Sequence, residues 1–311
     1  MTMLTVLVLF AMLGSGCGIS NRFTNMDRRA THSMANYHEN AQRAAYWNSV
    51  DKGTAVYGIT KFGHFSGTTF ALYMVGTPPY PMNSAILSNF TINADDLLPE
   101  HFDWREHNVV TEVKNQDRCG SCWAFATAGN IESLAAIKTG NLIPLSEQQI
   151  VDCDPQDHGC SGGWPLLAME SIARFGGLQS AEHYKYKGQT GVCLMNRSDV
   201  VVKIDGAVDL SNNEETIARY LVKHGPVTAV LNANPLWNYK RGIIYVDHFK
   251  CYNLVNDHAV LIVGFGKEAN LPYWIVKNSW GADFGENGYF RIFRGDNTCN
   301  IADHVVTAFI A

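Results

Sequence analysis

The sequence lacks both an excess of basic residues and a long apolar run. Its formal net charge is −5, and only 17% of its 311 residues are charged. There is no basic patch for a phosphate backbone, so nucleic acid is not expected as a partner. No apolar stretch reaches the roughly 18 residues that suggest a membrane-spanning helix, so no span is expected. The length fits one enzyme-sized domain with removable segments.

A shorter apolar stretch lies near the N-terminus. Leu4 to Leu13 is followed by the small-residue run Gly14-Ser15-Gly16-Cys17-Gly18. This has the size and order of the apolar region and cleavage zone of a signal peptide, although the usual preceding basic residues are missing. The sequence therefore predicts a signal peptide over residues 1–17 and entry into the secretory pathway.

One stretch places a thiol where a loop turns into a helix. From Cys122 the chain runs without proline to Lys138, with Gly140 just beyond, which predicts a buried helix with a C-terminal stop. A helix N-terminus favours an anion and lowers a thiol pKa, so Cys122 is expected to be an activated nucleophile if a base lies beside it. Cys119-Gly-Ser-Cys122 could also be a redox pair, half of a zinc site or two structural thiols, and on this tetrapeptide alone a disulfide or a zinc site is favoured over a nucleophile.

Three further stretches carry chemistry-bearing residues. His258 heads an apolar, β-branched run, Asn278-Ser279-Trp280 ends a second such run, and residues 159–165 form a glycine-rich loop. With the stretch around Cys122, these resemble the papain family of cysteine proteases over essentially the whole chain. The resemblance implies a papain-like fold of two halves, a helical left half and a β-barrel-like right half, with the active-site cleft between them.

The distribution of patterns agrees with an α+β fold. Helical patterns come first, around Cys122 to Lys138, Ser146 to Asp152 and Pro165 to Phe175. Strand-like runs follow: Val227 to Leu231, Ala259 to Gly264, Trp274 to Lys277 and Tyr289 to Phe293. Helices followed by strands predict an α+β protein of two packed halves.

The resemblance also implies roles for individual residues in a cysteine endopeptidase that works through an acyl-enzyme. Cys122 would be the nucleophile, His258 the base, Asn278 the residue that orients the imidazole, and Gln116 an oxyanion-hole donor. No cofactor and no metal ion are implied. The substrate-binding residues would be Gly162, Gly163, Trp164, Pro165, Trp280 and His304.

Cysteine counting is consistent with this interpretation. Without Cys17 seven cysteines remain, an odd number that leaves one thiol free in an oxidising compartment. Six cysteines allow fifteen pairings, and the sequence alone does not choose among them. The family resemblance implies a free Cys122 and the pairs Cys119 with Cys160, Cys153 with Cys193, and Cys251 with Cys299.

Residues 18–97 resemble a degenerate proregion of the cathepsin L/F type. An amphipathic helix is predicted from Met26 to Trp47, in which Tyr37, Asn40 and Asn48 match the Phe and two Asn of the ERFNIN helix. Arg29, Ser33 and Ala44 replace its Glu, Arg and Ile, and the run from Gly58 to His64 keeps only the Gly and Phe of G-x-N-x-F-x-D. The resemblance implies an inhibitory propeptide over 18–97 and a mature peptidase over 98–311, and a generic linker is the alternative.

Two positions depart from the family pattern. Asp117 stands where the family commonly has Gly, beside the oxyanion Gln116. His304 lies where the family sets the floor of a substrate pocket, and it predicts a shallower, more polar and pH-sensitive pocket. The interval from Cys160 to Cys193 holds no inserted His-His loop, which favours an endopeptidase.

The remaining predictions concern partners and location. Asn89 and Asn196 begin glycosylation sequons, consistent with a lysosomal or extracellular protein. The expected partners are protein and peptide substrates, the chain's own propeptide and cystatin-like inhibitors, with a monomeric enzyme. A catalytically silent relative that binds peptides is the competing hypothesis, and the presence of Gln116, Cys122, His258 and Asn278 argues against it.

Overall fold

A computed structural model describes residues 17–77, 97–210, 212–247, 250–251 and 255–310, with side chains from residue 33 onward. The described helices are α1 (Cys17–Val50), α2 (Gly67–Met74), α3 (Cys122–Thr139), α4 (Glu147–Cys153), α5 (Pro165–Phe175) and α6 (Glu214–His224). None of the described helices is long and apolar enough to cross a membrane.

Twelve strands are described. They are β1 (Val56–Tyr57), β2 (Phe102–Asp103), β3 (Leu178–Gln179), β4 (Val200–Val202), β5 (Gly206–Asp209), β6 (Val227–Leu231), β7 (Tyr239–Arg241), β8 (Ile243–Ile244), β9 (His258–Glu268), β10 (Leu271–Lys277), β11 (Tyr289–Phe293) and β12 (His304–Phe309). The predicted helices and strands are confirmed, with differences only at their ends.

The largest sheet is open. Its strands follow the order β5-β12-β6-β9-β10-β11-β8, and β2 pairs with β9. The α+β class is confirmed, but the described strands do not close into a barrel, because β5 and β8 end the path at opposite edges. The description of this half as barrel-like is therefore too strong.

The pairing of β9 with β10 determines where two predicted site residues meet. The strands are antiparallel, and Lys277 at the end of β10 lies opposite Leu261 near the start of β9. His258 begins β9 and Asn278 follows β10, so both lie at the same edge of the sheet.

The helix that carries Cys122 is buried on nearly every face. Fourteen of its residues are buried, among them the polar Thr127, Asn130, Glu132 and Ser133. It ends at Gly140, which has φ of 76° and donates its N–H to Ala136 O. This left-handed conformation suits glycine and explains the stop that the sequence predicted.

Residues 33–77, called here the N-terminal segment, pack against the β half. Their buried side chains belong to the same core cluster as Trp237 and Trp280; they include Ala44, Trp47, Tyr57, Phe62, Phe65, Phe70, Met74 and Val75. Strand β1 pairs with β7. Helix α1 is confirmed and is longer than the predicted Met26–Trp47.

The side chains retained from the proregion pattern hold the N-terminal segment together. Asn40 Nδ2 donates to Gly63 O and Phe65 O at 3.1 and 3.2 Å. Asn48 exchanges two hydrogen bonds with the main chain of Tyr57, each 3.0 Å long. The two amides therefore fix the connection after α1 to the helix itself.

Candidate active site

Cys122, the first residue of α3, is fully buried. The main-chain N–H of Ala259 donates to its Sγ at 3.4 Å, so the sulfur faces the start of β9. Burial raises the pKa of the Cys122 thiol to about 12, although nearby main-chain N–H groups, including that of Gly76, lower it. The expected lowering of this pKa is wrong for the covered cleft, because desolvation outweighs the helix N-terminus.

His258 directly precedes Ala259, whose N–H contacts the thiol, and its side chain is held by Asn278. Its Nε2 is 2.8 Å from Asn278 Oδ1; an amide oxygen only accepts, so Nε2 carries the proton and Nδ1 has the lone pair. Burial lowers the pKa of His258 to about 4, while the bond to Asn278 acts in the opposite direction. The ring of Trp280 stacks on the imidazole with centroids 4.6 Å apart, shielding the contact.

The pKa shifts of Cys122 and His258 determine which of the two carries the proton in this structure. With the thiol pKa raised and the imidazole pKa lowered by burial, the proton stays on Cys122 and His258 is neutral near pH 7. The buried Nδ1 of His258 has no hydrogen-bond partner among the described residues, so it is available to accept a proton. The charged thiolate and imidazolium form would require water to reach the cleft.

Gln116 presents its side-chain N–H groups to the cleft. Its Oε1 accepts from Ser279 Oγ at 2.6 Å, which fixes the orientation of the amide. Its Nε2 donates to Tyr73 O and Met74 O of the N-terminal segment at 3.2 and 3.3 Å. Carbonyl groups thus already lie against the donor that the sequence assigned to an oxyanion hole.

The unusual Asp117 lies in a left-handed conformation. Its φ is 52°, which favours glycine and, among other residues, Asn and Asp. Asn115 Nδ2 donates to Asp117 Oδ1 at 2.8 Å, and this local bond helps an aspartate occupy the position. The turn therefore accounts for both the family's usual glycine and the substitution found here.

The glycine loop contacts the N-terminal segment through its main chain. Gly163 N donates to Gly76 O at 2.7 Å. A Cβ at Gly163 would lie 2.6 Å from the ring of Trp123, so close packing also requires glycine here. Gly162 has φ of 116°, and the next residues lead into α5, with Pro165 at its first turn.

A pocket lies at the end of this loop. It is lined by Trp164, Pro165, Leu166, Asp209, Val230, His304 and Val306. The rings of Trp164 and His304 meet edge to face, with centroids 5.1 Å apart. Burial lowers the pKa of His304, and the carboxylates of Asp303 and Asp209 oppose this effect.

The structure brings residues to the site that the motifs did not single out. Ser279 orients Gln116, and Asp257 O accepts from the N–H groups of Gly76 and Thr77 at 2.9 and 3.1 Å. Ser279 lies within a quoted stretch and Asp257 immediately precedes His258, so the positions of both residues in the sequence gave a signal. Asp209 lies far from any motif and gave none.

Three disulfide bonds are present: Cys119–Cys160, Cys153–Cys193 and Cys251–Cys299. Cys122 is the free cysteine among the described side chains. Because Cys119 is bonded to Cys160, Cys119 and Cys122 cannot act together as a redox pair or as two zinc ligands.

One group of described side chains has the spacing of metal ligands, namely His101, Asp103 and Glu106. The Asp103 carboxylate already accepts from Arg105 Nε at 2.9 Å and Nη2 at 2.6 Å. A cation would therefore compete with this guanidinium, so the group is a poor metal site.

Only one of the two sequons lies in the described part of the chain. Asn196 is exposed, but its Nδ2 donates to Asp199 Oδ2 at 3.2 Å. Asn89, and most of the stretch interpreted as a signal peptide, lie outside the described residues.

The chain is similar to several curated proteases. It is 39% identical to cathepsin F of Mus musculus over 282 residues, covering 90% of this chain and 61% of that protein. It is 38% identical to cathepsin F of Drosophila melanogaster, covering 88% and 46%. The chain thus spans only about half to three fifths of these two relatives. A viral cathepsin of Lymantria dispar multicapsid nuclear polyhedrosis virus is 40% identical, with 85% and 74% covered.

Solved precursor structures are also similar. Digestive procathepsin L2 proteinase from Tenebrio molitor larval midgut matches with a TM-score of 0.82 and 31% identity, covering 94% of this chain and all of that one. A recombinant stem bromelain precursor matches with a TM-score of 0.76 and 32% identity, covering 94% and 99%. The family model for "Papain family cysteine protease" matches residues 98–309. The chain therefore belongs to the papain family of cysteine proteases.

Proposed function

We propose that the protein is a cysteine endopeptidase made as a zymogen. The observation that carries this proposal is the arrangement of the buried Cys122 thiol against the start of β9, where His258 is held by Asn278 at 2.8 Å. A nucleophile, a base and a residue that orients the base are the parts that covalent catalysis requires. Nothing in the site favours a silent relative, since all three groups are present.

The reaction uses these groups in sequence. His258 Nδ1 accepts the thiol proton, and the sulfur of Cys122 attacks the peptide carbonyl carbon. The oxyanion accepts hydrogen bonds from Gln116 Nε2 and the main-chain N–H of Cys122, and one such donor contributes about 3 kcal/mol where it has been measured. His258 then protonates the departing amine. Water, deprotonated by His258, attacks the thioester and releases the acid and the Cys122 thiol.

In this proposal residues 18–97 are the inhibitory propeptide, 98–311 the mature peptidase and 1–17 the signal peptide. The N-terminal segment occupies the positions of a substrate: Gly76 O accepts from Gly163 N, and Met74 O accepts from Trp280 Nε1 at 2.9 Å. The start of the family match at Leu98 supports the boundary with the mature part.

Substrates would bind as an extended chain along Gly162 and Gly163, with a side chain in the pocket that contains Trp164, Pro165 and His304. Main-chain pairing with Gly163 N follows the pattern of strand addition. Trp280 protects the His258–Asn278 contact from water. The half-buried His304 and the carboxylate of Asp209 make the pocket more polar than an aliphatic one.

The same proposal covers location and partners. Three disulfides and the sequon at exposed Asn196 are consistent with a secretory glycoprotein, lysosomal or extracellular. Its partners would be protein and peptide substrates, its own propeptide and cystatin-like inhibitors, and the enzyme would act as a monomer.

The test is to express residues 18–311 under oxidising conditions, acidify to about pH 5 and follow cleavage of a fluorogenic peptide. We expect cleavage together with processing near Leu98. An epoxide thiol inhibitor and the Cys122→Ser variant should each abolish the activity. A folded protein that cuts nothing and takes up no inhibitor at Cys122 would refute the proposal in favour of a binding role.

A further inference from the structure

Tyr186 lies outside the motifs but contacts two of the residues around the cysteine. Its phenol oxygen is 2.8 Å from the main-chain oxygen of Gln116 and 2.6 Å from Ser121 Oγ. Gln116 and Ser121 are fully buried. The phenol group therefore bridges the residue that supplies one oxyanion donor and the residue that immediately precedes Cys122.

The directions of these hydrogen bonds follow from the groups. A carbonyl oxygen only accepts, so the Tyr186 hydroxyl donates to Gln116 O, and its own oxygen accepts from Ser121 Oγ. Burial raises the pKa of Tyr186, although the bond from Ser121 lowers it. The phenol therefore keeps its proton near neutral pH, and its O–H donates to Gln116 O.

Ser121 is used in an unusual way. It occupies the N-cap position of α3, yet its side chain makes no capping hydrogen bond. A serine at this position ordinarily accepts from an N–H group of the first turn. Here its hydroxyl bonds to Tyr186 instead, and the N–H groups of Ala124 and Phe125 donate to the main-chain oxygen of Ser121 at 2.9 and 3.2 Å.

Gln116 is held from two sides. Ser279 binds one side, because Ser279 O accepts from Gln116 N at 2.8 Å and Ser279 Oγ donates to Gln116 Oε1. Tyr186 binds the other side through the carbonyl oxygen. Its ring packs edge-on against Phe125 of α3, with centroids 4.9 Å apart, so Tyr186 is itself fixed to the catalytic helix.

The turn that Tyr186 supports is strained. Asp117 follows Gln116 directly and has φ of 52°, a conformation that persists only when its surroundings hold it. A Cβ at Gly188 would lie 3.8 Å from the Tyr186 ring and 3.9 Å from Asp117 Cβ, so the tyrosine loop packs against this turn.

We propose that Tyr186 is a positioning residue of the oxyanion hole, which fixes the spacing between the Gln116 side-chain amide and the main-chain N–H of Cys122 by bonding to Gln116 O and Ser121 Oγ. This inference rests on the proposed function. Tyr186 does not touch the substrate; it acts through the two residues that it joins.

The test compares variants of the full chain after acid activation, with active enzyme counted by an epoxide thiol inhibitor. Tyr186→Phe keeps the ring and removes the bridge. We expect kcat/KM for a peptide to fall about tenfold through kcat, with KM nearly unchanged, because removing an oxyanion donor outright costs about 10²–10³. Affinity for a peptide aldehyde, whose adduct carries an oxyanion, should fall in parallel.

The matched control is Tyr184→Phe in the same loop. Tyr184 OH donates to Asp152 Oδ2 at 2.9 Å, away from the cleft, so kcat should stay at the wild-type value. A second control is the rate at which iodoacetamide alkylates Cys122. Alkylation forms no oxyanion, so this rate and its pH profile should be the same in wild type and Tyr186→Phe.

Two further variants test the same bridge if Tyr186→Phe cannot be interpreted alone. If Tyr186→Phe does not fold, Ser121→Ala removes the other end of the bridge and should lower kcat about threefold. In a Gln116→Ala background, Tyr186→Phe should cost less than about threefold, because residues that act together are not additive.

Three results would overturn the inference. The first is a kcat of Tyr186→Phe equal to that of wild type. The second is a loss in its alkylation rate as large as the loss in kcat, and the third is an undiminished loss in kcat when Tyr186→Phe is made in the Gln116→Ala background. An inactive wild type would instead overturn the proposed function, so the two failures are distinguishable.

Discussion

The cleft and the N-terminal segment that covers it use different kinds of contact. The cleft depends on side chains in fixed places, such as His258 bound to Asn278 and Gln116 bound to Ser279. The N-terminal segment reaches the cleft through main-chain groups, namely Tyr73 O, Met74 O and Gly76. Any residue can supply the carbonyl groups of Tyr73 and Met74, but Gly76 has to be glycine, because a Cβ there would lie 2.1 Å from Gly120 O. Apart from Gly76, these contacts do not depend on side-chain identity, whereas those of the cleft do.

Aromatic packing supplies the rest of the attachment. The ring of Phe70 stacks on that of Trp237, with centroids 4.4 Å apart, and lies edge-on to that of Trp280. Phe62, the aromatic residue kept from the proregion pattern, packs against both Phe70 and Trp280. If this segment is the proposed propeptide, we expect it to stay attached despite other sequence changes as long as the contacting rings and the amides of Asn40 and Asn48 remain.

The largest expected effect comes from the cleft. Cys122→Ala should lower peptide hydrolysis by at least about 10⁴-fold, because a nucleophile removed from a triad costs that order of rate. The measurement is kcat/KM after processing by an added protease. The melting temperature is the control and should change little. Residual activity within tenfold of wild type would refute the assignment of Cys122.

A smaller effect is expected from a substitution that weakens the packing of the N-terminal segment over the cleft. Phe70→Ala removes a buried ring, which costs about 3–5 kcal/mol in a folded core, and should expose Cys122. In the intact chain at pH 7 we expect alkylation of Cys122 to accelerate about a hundredfold. Leu72 lies on the same helix α2 and is 60% exposed, so Leu72→Ala is the matched control with less than about a twofold change. Equal rates in both variants would contradict the aromatic attachment.

The pocket should show a modest pH effect. Burial lowers the pKa of His304 below its ordinary value, so the imidazole is neutral at pH 7 and gains charge only as the pH falls below that value. Peptides with an acidic residue in this pocket should gain about three- to tenfold relative to aliphatic ones between pH 7 and pH 5. Profiling a peptide library at both pH values measures this gain. His304→Asn should abolish it, and an unchanged aliphatic preference in wild type would refute it.

The smallest effect concerns stability at the oxyanion turn. Asp117 has φ of 52°, so Asp117→Gly relieves backbone strain and should raise the free energy of unfolding by about 1 kcal/mol. Denaturant unfolding measures this difference. Gly67 provides the comparison: it is half-buried and has open space around its Cβ position, so Gly67→Ala should not lose stability through a clash. A destabilised Asp117→Gly would mean that the bond between Asp117 and Asn115 outweighs the strain.

Local patterns predicted most elements because their causes are local. The stop at Gly140 follows from a left-handed residue, and α5 runs from Pro165 to Phe175 as expected, with proline in its first turn. The runs Val227–Leu231 and Tyr289–Phe293 are strands with the predicted bounds. Family motifs then supplied the residues of the cleft.

Long-range consequences could not be predicted in this way. The open edge at β8 depends on which strands pair, and no local pattern encodes that pairing. The raised pKa of Cys122 depends on burial by a segment about 45 residues earlier, so an argument from the helix N-terminus alone gave the wrong direction. Tyr186 and Asp209 reach the cleft through contacts between distant parts of the chain, and their own sequence surroundings are ordinary.

The most direct test of the account is the pH profile of Cys122 alkylation in the intact chain and after removal of the N-terminal segment. Burial raises the thiol pKa to about 12 and lowers that of His258 to about 4 in the covered cleft, so the intact chain should react slowly from pH 5 to pH 8 and faster only at strongly alkaline pH. The processed enzyme should react at least about a hundredfold faster across the same range, because water then stabilises the thiolate and imidazolium. Equal rates and profiles in the two forms would contradict the claim that this segment covers a competent cysteine protease site.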